Sequence, residues 1–257
     1  MATDQSWRNR WRENAKSVVR GVAQRGDVSI GRGVFANHVG RTLAAQGITT
    51  VLDIGANVGQ YARSLRRAGF TGRIISVEPL AGAFVELQRH AAGDAGWLTL
   101  NAAVGRTAGT LDIHVSQNSY SSSALDITNA HLAGDPTSAY VDVQTARMVT
   151  VVDLLAEHDV DPGRTLLKID TQGFEREVLD GAGEHAAEFA ALQLEISFVE
   201  LYSGQELAES MIERLRSWNY RLQTLEPGFS NAEGRLLQCD LLVVRDDPER
   251  TARERGK

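Results

Sequence analysis

Val51-Leu52-Asp53-Ile54-Gly55-Ala56-Asn57-Val58-Gly59, with Glu78-Pro79 closing the next apolar run, reads as a buried strand that turns sharply into a helix. Two glycines let the backbone bend tightly and bring the main chain against a ligand. The first amides of the helix that follows face that ligand. Glu78 comes 25 residues after Asp53, the length of one strand–helix–strand unit. A carboxylate at that place can accept both hydroxyls of a ribose. These residues together imply a nucleoside-bearing ligand.

Working outward, the periods alternate as in an α/β domain. Strands are expected at Thr50–Ile54, Arg73–Val77, Trp97–Ala102, Thr110–Val115 and Tyr140–Ala146. Further strands are expected at Leu166–Asp170, Ala191–Ser197, Leu222–Leu225 and Leu236–Val244. Helical spacing marks Asn37–Ala45, Gln60–Ala68, Ala81–Ala92, Val151–His158, Phe174–Leu179 and Glu206–Trp218. Gly105–Gly109 reads as a hairpin-like break, and Gln117–Ser138 as a long connection without period. Trp7, Trp11, Ala15, Val18 and Val22 form an amphipathic pattern interleaved with arginine. That helix suits packing on the main domain, a homodimer contact or a cover over the acceptor pocket. The expected organisation is a helical appendage at 1–47, one doubly wound domain at 48–245 and a charged tail at 246–257.

Composition narrows the classes. At 257 residues and 42% hydrophobic content the chain can fill one large core. No run of 18 apolar residues suggests a membrane span, and no secretory signal is read at the N-terminus, so a cytoplasmic setting is expected. Cys239 is the one cysteine, and its apolar surroundings mark it as a buried structural thiol. The net charge of −6 argues against a nucleic-acid partner, although six basic groups crowd residues 1–25.

The nicotinamide fingerprint has a central glycine that lets the backbone approach a pyrophosphate. Asn57 stands in that place here. S-adenosylmethionine has no pyrophosphate; Asp53 can attract its ammonium, and Asn57 with backbone amides can serve its carboxylate. An NAD-dependent oxidoreductase remains the enzyme alternative, and a nucleoside-binding sensor or interaction protein the non-enzymatic one. Ala103, in Asn101-Ala102-Ala103-Val104-Gly105, is small enough to let adenine lie against the backbone.

The sequence resembles the FkbM-type family of S-adenosylmethionine-dependent methyltransferases. The likeness rests on Val51–Gly59, Glu78-Pro79, Asn101–Gly105, the run 118–123, Leu166-Leu167-Lys168-Ile169-Asp170-Thr171-Gln172-Gly173-Phe174-Glu175, Val178–Ala182 and Leu194-Glu195. It spans roughly residues 48–245. The resemblance implies a seven-stranded, mostly parallel sheet with one antiparallel terminal strand, and methylation of a hydroxyl on a sugar or natural product. By position, Asp53, Gly55, Asn57, Gly59 and Glu78 take cofactor roles, and Asp170, Gly173 and Glu175 take active-site or supporting roles. The resemblance also moves Ser121 and Ser122 toward the cofactor or acceptor pocket. Thr171 and Gln172 stand where many relatives carry Val and Glu.

Asp170 closes an expected central strand and Glu195 its neighbour, so both can face the acceptor. Asp170 can orient the cofactor's methionine end, accept the acceptor's proton or hold a cation; Glu195 is read as the acceptor-orienting partner. Two such carboxylates can also chelate Mg2+, although no compact metal motif is present. Lys168 is expected beside the pocket in an ion pair or a substrate contact, and Glu175, at the start of a helix, in capping and support or in catalysis. His131 in the polar connection can reach an acceptor, whereas His114 fits a structural place.

Overall fold

The computed structural model describes residues 35–118 and 120–246. The helix expected around Trp7 and Trp11, with its expected packing, dimer or capping role, and the charged tail beyond Asp246 lie outside the described residues.

Parallel strands β1 (Thr50–Ile54), β2 (Arg73–Val77), β3 (Trp97–Leu100), β7 (Thr165–Ile169) and β8 (Ala191–Ser197) form most of a seven-stranded sheet. Its order is β3-β2-β1-β7-β8-β10-β9, where β9 is Tyr220–Pro227 and β10 is Gln238–Arg245. β10 runs antiparallel to both β8 and β9. The last strand of the chain is thus the antiparallel one, inserted beside β8 and inside the edge strand β9.

Alternation along each strand feeds two cores. On one face, α1 (35–46), α2 (Gln60–Arg67) and α3 (Ala81–Ala91) bury Val39, Leu43, Leu65 and Leu87 around Val51, Ile74 and Leu166. On the other, α5 (Val151–Glu157), α6 (Glu175–Asp180) and α7 (Ala208–Ser217) bury Leu154, Leu179 and Leu215 around Leu52, Ile75 and Leu167. A strand with helices on both faces is buried twice, which is why TVLDI reads as a nearly continuous apolar run. Cys239 is buried there, and burial pushes its thiol up to about 11, consistent with an inert packing role. No helix among the described residues is long and apolar enough to cross a membrane.

Three local expectations are corrected. β3 stops at Leu100, before Ala102, because Asn101 turns its amide to the carbonyls of Glu78 (2.8 Å) and Pro79 (3.0 Å). The segment at Gly105–Gly109 is not a hairpin: β4 (Ala103–Val104) and β5 (Gly109–Ser116) both pair with β6 (Tyr140–Val149), which lies between them in a second, three-stranded sheet. The connection Gln117–Ser138 contains α4 (Asn129–Gly134) and a 3-10 turn at Pro136–Ser138. Asn118 organises it, accepting the N–H groups of Tyr120 and Ser121 at 3.0 Å and donating to Asp135 at 3.1 Å.

Among the described glycines, Gly55 in the turn after β1 is the most closely crowded. Gly55 has φ 73°, and a Cβ there would lie 1.8 Å from the carbonyl oxygen of Asp170. Gly69 has φ 90° but open space around the same position. Gly55→Ala is therefore expected to destabilise by more than about 3 kcal/mol, and Gly69→Ala by only about 1 kcal/mol. Urea denaturation of the two variants checks this; equal losses would show that crowding at Asp170 is not what fixes the turn.

Candidate active site

A cavity of about 1220 Å³ opens at the carboxyl ends of β1, β2, β7 and β8, roofed by the small sheet and the connection 117–138. It exceeds the roughly 300–1,000 Å³ of common small-ligand pockets, so a nucleoside and an acceptor fit together.

Its first wall is the turn after β1. Gly55 and Asn57, both in left-handed conformations, line the cavity, as do Glu78 and Ala103. Glu78 accepts the N–H of Asn57 (2.8 Å) and of Leu80 (2.9 Å), locking the two cofactor-side loops to each other. Burial raises its pKa to about 7, although both N–H bonds and Lys168 oppose the shift. Two residues of the expected cofactor set stand behind this wall. Gly59 faces the core, where a Cβ would meet Leu87 and Trp97 at 2.8–2.9 Å. Asp53 is fully buried and is absent from the cavity lining. Its carboxylate pairs with the Lys168 ammonium (3.1 Å) and accepts from Ser76 (3.0 Å).

Lys168 is the hub. Only 5% exposed, its ammonium reaches Asp53, Asp170 (3.5 Å) and the carbonyl of Gly55 (3.0 Å). Burial works against the charge, but Asp53 and Asp170 outweigh it and hold the ammonium above its ordinary pKa. The ion pair expected for this lysine is present.

Asp170 and Glu195 share the cavity, as expected, and Gln172 joins them. The Gln172 amide donates through Nε2 to Asp170 (2.9 Å) and to Glu195, and its Oε1 accepts from the Tyr202 hydroxyl (2.7 Å). Glu195 is pushed well above the ordinary carboxylate range by burial and by the facing acids Asp170, Asp240 and Glu175. Glu175 is a support: its Oε1 accepts the N–H groups of Thr171 (2.9 Å) and Gly173 (3.2 Å).

Ser121 and Ser122 line the roof, but both are also held internally. Ser121 Oγ accepts from Ser138 (2.9 Å), and Ser122 Oγ accepts the Ser116 N–H (3.0 Å). His131 also lines the cavity, packed edge-on against Tyr202, and burial lowers its pKa. His114 stacks on Tyr140, in the structural place expected. Gln172, Tyr61, Gln193 and Asp240 escaped assignment as site residues. The one usable signal for Asp240 was a lone acid inside an apolar strand.

A methyltransferase-type strand order, a glycine turn locked to an acidic loop, and a cavity holding two unlike carboxylates are the geometry to be matched. Residues 53–222 match the model of the methyltransferase FkbM domain. The chain belongs to the FkbM methyltransferase domain family. It is an S-adenosylmethionine-dependent methyltransferase, which sets aside the nicotinamide and sensor readings. No curated protein matches it in sequence. Among solved structures it is similar to magnesium protoporphyrin IX methyltransferase from Synechocystis PCC 6803 with bound S-adenosylmethionine, at 15% identity and TM-score 0.44, covering 86% of this chain and 82% of that one. It is also similar to a putative S-adenosylmethionine-dependent methyltransferase from Listeria monocytogenes, at 8% identity and TM-score 0.46, over 85% and 100% of the two chains. A pre-rRNA processing fibrillarin from Methanococcus jannaschii matches at 9% identity and TM-score 0.42, over 77% and 66%.

The ribose contact expected of Glu78 predicts a pH signature for binding. A ribose hydroxyl donating to its carboxylate favours the ionised form. Binding should therefore expel a proton wherever Glu78 is still protonated, and S-adenosylhomocysteine affinity should rise with pH up to about 7 and then level off. Glu78→Gln should remove the slope and weaken binding. Calorimetry in buffers of different ionisation enthalpy measures the released proton; pH-independent wild-type binding would show that Glu78 does not meet the ribose.

Proposed function

We propose that this methyltransferase transfers its methyl group to oxygen, on a hydroxyl of a carbohydrate or a glycosylated small metabolite. The observation that carries the reading is the pair of carboxylates held in one cavity in unlike electrostatic surroundings. Asp170 lies beside the Lys168 ammonium, whereas Glu195 lies among acids. Environments that separate two acids in this way also separate their roles.

When bound, S-adenosylmethionine supplies an electrophilic methyl carbon, which leaves the sulfonium as its new bond to the acceptor oxygen forms. Gly55 and Asn57 hold its amino-acid end, Glu78 its ribose and Ala103 its adenine. Asp170, 3.5 Å from the Lys168 ammonium, draws the ammonium of that end. Glu195, with its raised affinity for a proton, takes the hydrogen of the acceptor hydroxyl. The hydroxyls of Ser121 and Ser122, with Asn118 and Thr137, give the roof a polar lining suited to a hydroxyl-rich acceptor. The net charge of −6 supports a small acceptor over a nucleic acid. The lone buried cysteine is compatible with a cytoplasmic setting.

Incubation with S-adenosylmethionine and a panel of saccharides, glycosylated metabolites and RNA, followed by mass spectrometry, tests the acceptor. Gain of one CH2 unit on a saccharide hydroxyl is the expected result; transfer to RNA with none to saccharides would overturn it. With the acceptor in hand, Glu195→Gln should lower kcat by about 100-fold or more while leaving S-adenosylhomocysteine affinity unchanged. Asp170→Asn should weaken that affinity. Because the base must be ionised, wild-type turnover should rise with pH through an inflection above the ordinary carboxylate range. Undiminished turnover in Glu195→Gln would remove it as the base.

A further inference from the structure

Gln172 sits in a backbone conformation that side chains seldom adopt, φ 55°, and Gly173 follows at φ 96°. A left-handed non-glycine residue persists where its surroundings over-determine it. Here they do. The Ser123 hydroxyl donates to the Gln172 carbonyl (2.6 Å), the Tyr202 hydroxyl to its Oε1 (2.7 Å), and Glu175 gathers the N–H groups on either side. The result aims one amide nitrogen at Asp170 Oδ1 and Glu195 Oε2 together. Two carboxylate oxygens facing one end of a carboxamide assign that end as NH2, with both hydrogens used.

Two carboxylates on neighbouring strand ends are the donor set a divalent cation would bridge. Their shared point is occupied by a neutral donor instead, and among the described residues no group of three or more His, Cys, Asp and Glu side chains is arranged to hold a metal. We propose that the Gln172 carboxamide takes the place of a bridging cation in this chain, holding Asp170 and Glu195 in register so that methyl transfer proceeds without a divalent metal. The inference rests on the proposed roles of that carboxylate pair. Gln172 acts through the two acids and is a positioning residue. A glutamate at this position would keep the size and the Tyr202 contact, remove the NH2 and add a third carboxylate, converting the clasp into an oxygen cage.

Mn2+ binding, followed by electron paramagnetic resonance on the full chain, tests this in the wild type, Gln172→Glu and the double variant Gln172→Glu with Glu195→Gln. The wild type should bind no stoichiometric Mn2+. Gln172→Glu should bind one ion per chain at least about tenfold more tightly than the wild type, and the double variant should lose it. Wild-type methyl transfer should be undiminished in thoroughly chelated buffer and not raised by added Mg2+; a divalent-metal requirement would overturn the proposal. Stoichiometric Mn2+ on the wild type would overturn the proposal. So would a folded Gln172→Glu chain, shown by an unchanged thermal transition, that binds none. Calorimetry with S-adenosylhomocysteine on the same samples is separate: its absence from the wild type would overturn the functional reading, whereas the Mn2+ comparison decides the clasp by itself.

Discussion

The buried ammonium of Lys168 is the constraint on which the site depends. An unpaired charge in such a place would be untenable, and removing one partner of a buried pair commonly costs about 3–5 kcal/mol. Asp53, Asp170 and the Gly55 carbonyl satisfy it from the adjacent ends of β1 and β7. The arrangement extends along one row of the sheet, where Ser76, Asp53, Lys168 and Gln193 are successive cross-strand neighbours. Trp97 closes one end by donating to Ser76 (3.0 Å), and Tyr61 donates to Gln193 (2.6 Å) at the other. This row separates the carboxylate that supports, Asp53, from the carboxylate that faces the cavity, Asp170.

The location of the site follows from topology. β2 and β3 extend from β1 on one side, and β7 and β8 on the other. Chain connections therefore leave the carboxyl ends of β1 and β7 in opposite directions and open a crevice between them, the usual place for a ligand in such sheets. The left-handed turn at Gly55 lets the two strand ends approach until the Asp170 carbonyl fills the space a side chain would need.

Much of this was legible in the residues, because strands buried on both faces and amphipathic helices leave strong periods. Thr50–Ile54, Arg73–Val77 and Ala191–Ser197 coincide with β1, β2 and β8. Where side chains, and not periodic backbone bonds, organise the chain, the pattern vanishes. Asn118 and Asp135 shape the connection 117–138 through turns and caps that have no period. The placement of β6 between β4 and β5 is a long-range pairing, invisible to local spacing. Motif position also could not tell which way a residue faces: Asp53, in β1, meets Lys168 and Ser76, and Gly59 lies against Leu87 and Trp97, both outside the cavity lining.

The least legible element is the one that links the two carboxylates of the cavity. Gln172 registers in sequence only as a departure, a lost acid beside Asp170. In space its amide converts two carboxylates that repel each other into a hydrogen-bonded unit. The unit is asymmetric, because only Asp170 also meets Lys168. A bridging divalent cation would favour the ionised form of both acids. A neutral amide brings no charge to cancel the field of the neighbouring acids; burial first, and then those acids, raise the affinity of Glu195 for a proton. The order imposed on 171–173 by Glu175, Ser123 and Tyr202 is what holds that amide between the two acids.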